Sequence, residues 1–306
     1  MDTMDNINLV ESFAEFKEFK NIDRETLMRI LEDVFRHMLI KKYGSDENFD
    51  IIVNIDRGDL EVWRNRIIVE DCLTGQEVTV MAFTDGKTIL PMLPSQDHKA
   101  IFDGDLGPNT GGMGAYCPTP IVNEQVMQTI REQILEPAVY GLEREGRRYR
   151  GILYAGVMIT PVGPKVIEFN CRFGDPETQA VLPLLKSDLA DIFIAIIDGN
   201  LNLVEPVWKE GAAVCVVMTS RGYPGRPEVG KKITGIRTYR ENHAYLFHAG
   251  TRKEGANWVT AGGRVLGVTA VHQDIRTAVK AAYDTIENIH FEGAHCRRDI
   301  AYQAFK

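Results

Sequence analysis

Little in these 306 residues could cross-link the chain or anchor it in a membrane. Cysteine occurs only five times, at Cys72, Cys117, Cys171, Cys215 and Cys296. The number is odd and the spacing wide, which excludes a disulfide framework, and no pair has zinc-site spacing. Reduced thiols remain. No apolar run is long enough to span a bilayer, and the N-terminal MDTMDNINLV is acidic where a secretory signal is basic and then apolar. These absences predict a cytoplasmic protein with no membrane partner. Positive charge is in deficit too, 35 Lys and Arg against 43 Asp and Glu. The deficit is concentrated: residues 1–71 hold 17 acidic and 10 basic side chains, whereas residues 72–306 hold 26 and 25. Nucleic acid needs positive charge opposite its phosphates, so it is excluded as the direct partner of the first stretch. The asymmetry fits two modules of separate origin.

The chain is long enough for two or three domains. With 44% hydrophobic and 25% charged residues it has the composition of a folded soluble protein. Val10, Phe13 and Phe16 mark an early helix over about residues 7–19. A second helix begins after Asp23, a good cap, and carries Leu27, Ile30, Leu31, Val34, Phe35 and Met38 at helical spacing. Ile51, Ile52 and Val53 open a strand, residues 56–59 turn, and residues 60–69 return. This predicts a small helix–hairpin domain. Its aromatics form either a core or part of a protein-binding surface, and nothing in it resembles a catalytic site. The segments NLVESFAEFKEFKNIDRETLMRILEDVF and GDLEVWRNRIIVED resemble the N-terminal domain of the bacterial transcription elongation factor NusA. That resemblance covers residues 1–71 and implies contact with RNA polymerase. No Gly/Ser/Pro linker separates residues 1–71 from the rest of the chain.

Residues 77–83 alternate and meet Asp85-Gly86, a hairpin signal. SQDHK, residues 95–99, is too polar for a core strand and reads as a turn or as part of a site. Lys99 would bring a mobile positive charge to a phosphate. DGDLGPNTGGMGAY, residues 103–116, holds five glycines. They allow close backbone approach, and successive amides in such a loop can surround an anion. The loop lacks the Gly-Lys-Ser/Thr of a P-loop and the spacing of a dinucleotide-binding turn. It is either a binding loop, with Gly111, Gly112 and Gly114 nearest the ligand, or a complex turn.

VIEFNCRFGDPETQ, residues 166–179, is the sharpest local signal. Glu168 and Asn170 are two apart on a strand and share a face. They offer oxygen ligands for Mg²⁺, with phosphate and water completing the shell. Arg172 is placed to stabilise a transferring phosphoryl group. Asp175 and Glu177 add negative charge that orients Arg172 or an amine substrate. The alternative is a surface ion-pair cluster.

SQDHK, DGDLGPNTGGMGAY, LYAGVMI and VIEFNCRFGDPETQ stand in the order found in the phosphoribosylamine–glycine ligase (glycinamide ribonucleotide synthetase) family, which residues 72–306 resemble. The resemblance implies an α+β chain: a partial ATP-grasp domain at 72–205 and a mixed α/β C-terminal domain at 206–306, behind the helix–hairpin module at 1–71. It also implies ATP and Mg²⁺, which Mn²⁺ can replace, and glycine and 5-phosphoribosylamine as substrates, joined through a glycyl phosphate. Glu168 and Asn170 match the family's metal ligands, and Arg172 would stabilise the acyl phosphate with Asp175 beside it. Glu77 matches an acidic residue on the nucleotide side, with Lys99 and the glycine loop. Val69–Leu73 would be the hinge that meets adenine. Residues 1–71 match neither the family's amino-terminal domain nor its lid. The expectation is therefore an incomplete ATP-grasp fold with little or no turnover. The other reading is a polymerase-binding module carrying a passive ligase fragment. In the C-terminal region, His248 and Arg264 are candidates with no assigned role.

Overall fold

The computed structural model describes residues 24–43, 46, 49–54, 59–64, 72–236 and 244–305. By its contacts the chain divides into two compact units, Met1–Cys72 and Leu73–Lys306. In the first, helix α1 (Arg24–Tyr43) carries Lys41 and Lys42 in its last turn, where positive charge suits the helix end. Strands β1 (Phe49–Asn54) and β2 (Asp59–Arg64) pair antiparallel from Phe49↔Arg64 to Asn54↔Asp59. The helix expected over 7–19, the tip of the hairpin and most of the expected hinge lie outside the described residues.

In the second unit the strands are β3 (Gln76–Thr84), β4 (Ile89–Pro91), β5 (Gln96–Asp97), β6 (Ala100–Phe102), β7 (Leu106–Asn109) and β8 (Gly114–Cys117). Helices α2 (Glu124–Ile130) and α3 (Glu136–Arg144) come next, joined by a π-turn at Arg131–Leu135. Then come β9 (Gly151–Thr160), β10 (Gly163–Asn170), α4 (Glu177–Val181) and α5 (Leu189–Asp198). The last part is β11 (Ala212–Thr219), β12 (Lys232–Ile233), β13 (Ala244–His248), β14 (Thr251–Glu254), β15 (Asn257–Thr260), β16 (Arg264–His272) and α6 (Ile275–Ile286).

Two antiparallel sheets carry the unit. One has the order β10-β9-β3-β4 and the other β13-β16-β11-β8-β5. Strand periodicity divides the cores. On β3, Val78, Val80 and Ala82 join Leu153, Ala155 and Val157 of β9 in packing with Ile130, Ile134, Leu135 and Val139 of the α2–α3 helix. The intervening Met81 and Phe83 face the other way, with Tyr154, and meet Ala115, Cys117, Ala213 and Cys215 of the second sheet, with Ala180, Val181 and Ile192 between. On β11 the alternate residues Val214, Val216 and Met218 look outward onto α6, against Ala278, Ala282 and Ile286. Each sheet thus has two buried faces, which is why β3 and β11 are nearly continuous apolar runs.

Several elements depart from the sequence reading. SQDHK is a strand, not a turn: Gln96 and Asp97 pair with Tyr116 and Ala115 of β8, and Ser95 bridges to Thr79. Three of its polar side chains, those of Ser95, Gln96 and His98, are buried, and Asp97 and Lys99 are half-buried. The apolar stretch 182–195, whose sequence reads as a single helix, is not one helix. After a 3₁₀ turn at Leu182–Leu184 the chain pairs Leu185 with Trp208, and the amides of Lys186 and Ser187 donate to the carbonyl of Val207. Helix α5 starts afresh because the Asp188 side chain accepts from the Ala190 amide. The five-stranded sheet also runs through the boundary drawn at residues 205 and 206, since β8 pairs with β11.

Candidate active site

β10 carries the two candidate oxygen ligands, Glu168 and Asn170. A bulge between Val166 and Glu168 resets its register, so that Glu168 lies opposite Gly156 and Asn170 opposite Tyr154. Glycine at 156 leaves room, for a Cβ there would sit 3.2 Å from the Glu168 side chain. The Asn170 Nδ2 donates to Glu168 Oε1 at 3.0 Å. Both side chains therefore share one face, and the amide oxygen is left for a cation. Among the described residues no three His, Cys, Asp or Glu side chains gather into a metal cage. One carboxylate and one amide oxygen suit Mg²⁺, which usually takes its other ligands from phosphate and water.

Beside this pair lies a cavity of about 170 Å³, lined by Asp97, Lys99, Thr110, Gly111, Tyr154, Glu168, Arg172, Gly174, Asp175 and Glu177. A second, of about 330 Å³, is lined by Glu77, Gln96, His98, Asp105, Asn109, Tyr302 and Gln303 among others, and shares Asp97 and Lys99 with the first. Lys99 stands at the join and donates to Glu77. Burial works against its ammonium, but Asp97, Glu77 and Glu168 outweigh it and its pKa rises. Asp97 moves the other way for a carboxyl, pushed up to about 7 by burial and by Glu177, against the pull of Lys99. Glu177 is 3% exposed and accepts from Thr79 Oγ1 at 3.0 Å and from the Tyr154 hydroxyl at 2.8 Å.

The glycine loop is held from three sides. Thr110 Oγ1 donates to the Lys99 carbonyl and accepts from the Gly112 amide. The Gly111 amide donates to the Tyr223 hydroxyl at 2.8 Å. Arg264 Nη1 donates to the carbonyls of Gly111 and Asp175, at 2.6 and 2.8 Å, while Nη2 donates to Asp175 Oδ2 at 3.0 Å. Asp175 also accepts from Gln179, so it fixes the loop through Arg264. Arg172 reaches the small cavity, and its Nη1 donates to the Phe173 carbonyl. Gly112 and Gly114 line neither cavity. Gly112 has φ +110° and packs on Pro176. Gly114 lies within β8, where a Cβ would come 2.6 Å from the Cys215 carbonyl. His248 is on β13, bonded to Thr251.

Residues 77, 99, 111, 168, 172 and 175 line the two cavities, and Asn170 stands beside them on Glu168. Asp97, Tyr154 and Thr79 were not singled out. The only local signal of Thr79 and Tyr154 is a polar residue inside an apolar strand pattern, and that of Asp97 is its place in SQDHK. Arg264 had no assigned role, because its partners lie 153 and 89 residues away.

His98 is 1% exposed and accepts from the Ala301 amide at 3.2 Å. Burial, reinforced by Arg297, lowers its pKa to about 4. On acidification the unfolded chain takes up this proton near the ordinary value of 6.5, and the folded chain only near 4. The stability associated with a neutral His98 is thus intact above pH 6.5 and falls as the pH drops towards 4. In urea denaturation over this window, wild type is expected to lose about 3 kcal/mol more than His98→Gln. Parallel curves for the two proteins would show that the ring titrates normally.

The chain matches the sequence profile of the phosphoribosylglycinamide synthetase ATP-grasp (A) domain over residues 13–178 and of the C domain of the same synthetase over residues 213–303. The A-domain match begins well inside the stretch set apart as NusA-like and crosses the boundary at residues 71 and 72. A phosphoribosylamine–glycine ligase of Synechocystis is 50% identical over 241 residues, 78% of this chain and 58% of that one. The chain thus spans little more than half the length of such a relative. The crystal structure of the phosphoribosylamine–glycine ligase of Thermotoga maritima superimposes with a TM-score of 0.70 at 34% identity, covering 87% of this chain and 63% of that one. The biotin carboxylase domain of Hydrogenobacter thermophilus 2-oxoglutarate carboxylase, solved with MgADP, ADP and bicarbonate, superimposes at 0.53 with 14% identity, covering 89% and 53%. That likeness is one of fold. Together these matches make the fold a mixed α/β ATP-grasp one. Among the described residues no helix is long and apolar enough to cross a membrane.

Proposed function

The chain belongs to the phosphoribosylglycinamide synthetase family, and from that premise we propose that Leu73–Lys306 carries the phosphoryl-transfer site of an ATP-dependent ligase acting on glycine and 5-phosphoribosylamine. The observation that carries this reading is the pairing of Glu168 with Asn170 at the edge of a small cavity that also holds Lys99 and Arg172.

In this reading Glu168 and Asn170 hold Mg²⁺. Bound there, Mg²⁺ would supply positive charge that lowers the repulsion between the nucleotide's phosphates and an incoming carboxylate. The glycine carboxylate attacks the γ-phosphorus and ADP leaves. The amine of 5-phosphoribosylamine then attacks the acyl carbon, phosphate leaves with the C–O bond electrons, and the amine gives up a proton. Arg172 supports the charge on the acyl phosphate. Lys99, tied to Glu77, offers positive charge to the nucleotide. Arg264 and Asp175 keep the Gly111 loop against the cavity, so its geometry is set before substrate arrives.

The test is an ATP titration of the full chain with and without Mg²⁺, then ADP and glycinamide ribonucleotide measured together when glycine and freshly generated 5-phosphoribosylamine are added. The expected result is Mg²⁺-dependent binding and ADP release that requires glycine. Nucleotide binding indifferent to Mg²⁺ would reject the site assignment.

A further inference from the structure

Helix α5 is apolar almost all round: in LADIFIAIID only Asp191 and Asp198 are charged. A helix of this kind is normally buried on every side. Here Ile192, Ala195 and Ile196 are buried, but Ala190, Phe193, Ile194 and Ile197 face outward, with Ile194 55% and Ile197 68% exposed. Their spacing of i, i+3, i+4 and i+7 makes them one continuous stripe. The stripe matches itself when turned end for end. About its midpoint, between residues 193 and 194, the small Ala190 mirrors the large Ile197, and Phe193 mirrors Ile194. The charges follow the same rule. Arg150 Nη1 donates to the Ile197 carbonyl at 2.7 Å, which puts a cation at the C-terminal end, while Asp188 and Asp191 stand at the N-terminal end. Lys186 precedes that end, and Asp198 closes the other. A lipid surface would ask for Lys and Arg around such a stripe, whereas Asp188, Asp191 and Asp198 border it here.

We infer that α5 pairs antiparallel with α5 of a second copy of this chain, about a two-fold axis beside Phe193 and Ile194. A two-fold contact uses the same patch on both copies, so the patch must complement itself. In this arrangement Ala190 of each copy lies against Ile197 of the other, and Phe193 against Ile194. Arg150 reaches Asp188 and Asp191 of the other copy, and Lys186 reaches Asp198. The contact adjoins the candidate site, because the Phe193 ring also meets that of Phe173 edge-on at 6.3 Å, and the Phe173 carbonyl holds Arg172. Such pairing does not depend on the ligase reading.

The full chain is followed by sedimentation equilibrium up to about 100 μM. One short helix pair is a small interface, so wild type is expected to pass from monomer to dimer with a Kd on the order of 10 μM. Ile194→Glu puts a charge at the centre of the stripe and should keep the chain monomeric throughout. Its melting temperature should match wild type, because the side chain is exposed in the single copy. Arg150→Glu should weaken the dimer about tenfold, and adding Asp191→Arg should restore it, since the exchange re-forms the same pairs. A wild type that is monomeric at about 100 μM overturns the inference. So does a dimer indifferent to Ile194→Glu or to Arg150→Glu, or one that Asp191→Arg fails to restore.

Discussion

Glu168→Ala is expected to weaken Mg²⁺-dependent ATP binding by about a hundredfold, or nearly 3 kcal/mol, while leaving the melting temperature within a degree or two of wild type. The two halves of this expectation have separate causes. Glu168 is exposed on the edge strand β10, and exposed substitutions away from special backbone usually change stability by less than about 0.5 kcal/mol. It is also the one carboxylate of the proposed cation pair. Asn170, its partner at 3.0 Å, supplies only a neutral oxygen and cannot hold a hard divalent ion alone. ATP titrations with and without Mg²⁺ separate the two contributions. The Mg²⁺-free affinity should not fall in the variant, because Lys99 and the Gly111 loop keep their places and a carboxylate that repels phosphate is gone. An Mg²⁺ effect of wild-type size in the variant would move the cation site elsewhere.

The largest loss of stability is expected at Arg297. This guanidinium is fully buried. It donates to both oxygens of Asp299 at 2.7 and 2.8 Å, to Asp105 Oδ1 at 2.7 Å and to the Ala100 carbonyl at 3.2 Å. The two carboxylates reach onward: Asp299 accepts from the Gly104 amide at 2.8 Å, and Asp105 from Tyr302. Arg297→Met fills a similar volume but leaves two carboxylates and a carbonyl without their donor. Removing one partner of a buried ion pair costs about 3–5 kcal/mol. Asp299 and Asp105 are 23% and 42% exposed, so water recovers part of this, and a loss of about 3 kcal/mol is expected in urea denaturation. Arg297→Lys should recover less than half, because an ammonium lacks the planar fork that spans Asp299. A Met variant within 1 kcal/mol of wild type would mean that water already solvates the pair. The same contacts tie residues 100–105 to the C-terminal segment, so the variant should also loosen the start of the glycine loop, and amide exchange at Gly104 would report it.

Much of the central site is legible in the sequence because its signals are local. Glu168 and Asn170 face together through the two-residue period of a strand, and even the bulge at Ile167 does not disturb them, since it precedes both. The hairpin at Asp85 was equally visible. Its side chain accepts from the amides of Lys87 and Thr88, a turn device with a sequence signature. What was not legible depends on distant partners. Arg264 is anonymous until β16 brings it to Gly111 and Asp175. The raised pKa of Asp97 depends on burial and then on Glu177, which approaches from α4. SQDHK reads as exposed because five polar residues in a row are usually wet, whereas here Ser95 and Gln96 are strand-paired and His98 sits under the C-terminal segment. Gly112 and Gly114 share a motif with Gly111, yet they meet Pro176 and the Cys215 carbonyl rather than a cavity. A glycine's spacing does not say whether the space it leaves is for ligand or for protein. Residues 13–71 show the opposite limit, since a local likeness to one family stood inside a match to another.

The five-stranded sheet bears on how such a chain is inherited. Its strands β5 and β8 fall within the A-domain match and β11, β13 and β16 within that of the C domain, and the seam is the β8–β11 ladder from Gly114↔Val216 to Cys117↔Ala213. A genetic crossover between residues 178 and 213 would divide this ladder and leave both products with a bare strand edge, open to aggregation. Exchange is tolerated only if the incoming segment brings a matching strand. The two matched regions are therefore one folding unit, each closing an edge that the other would leave bare.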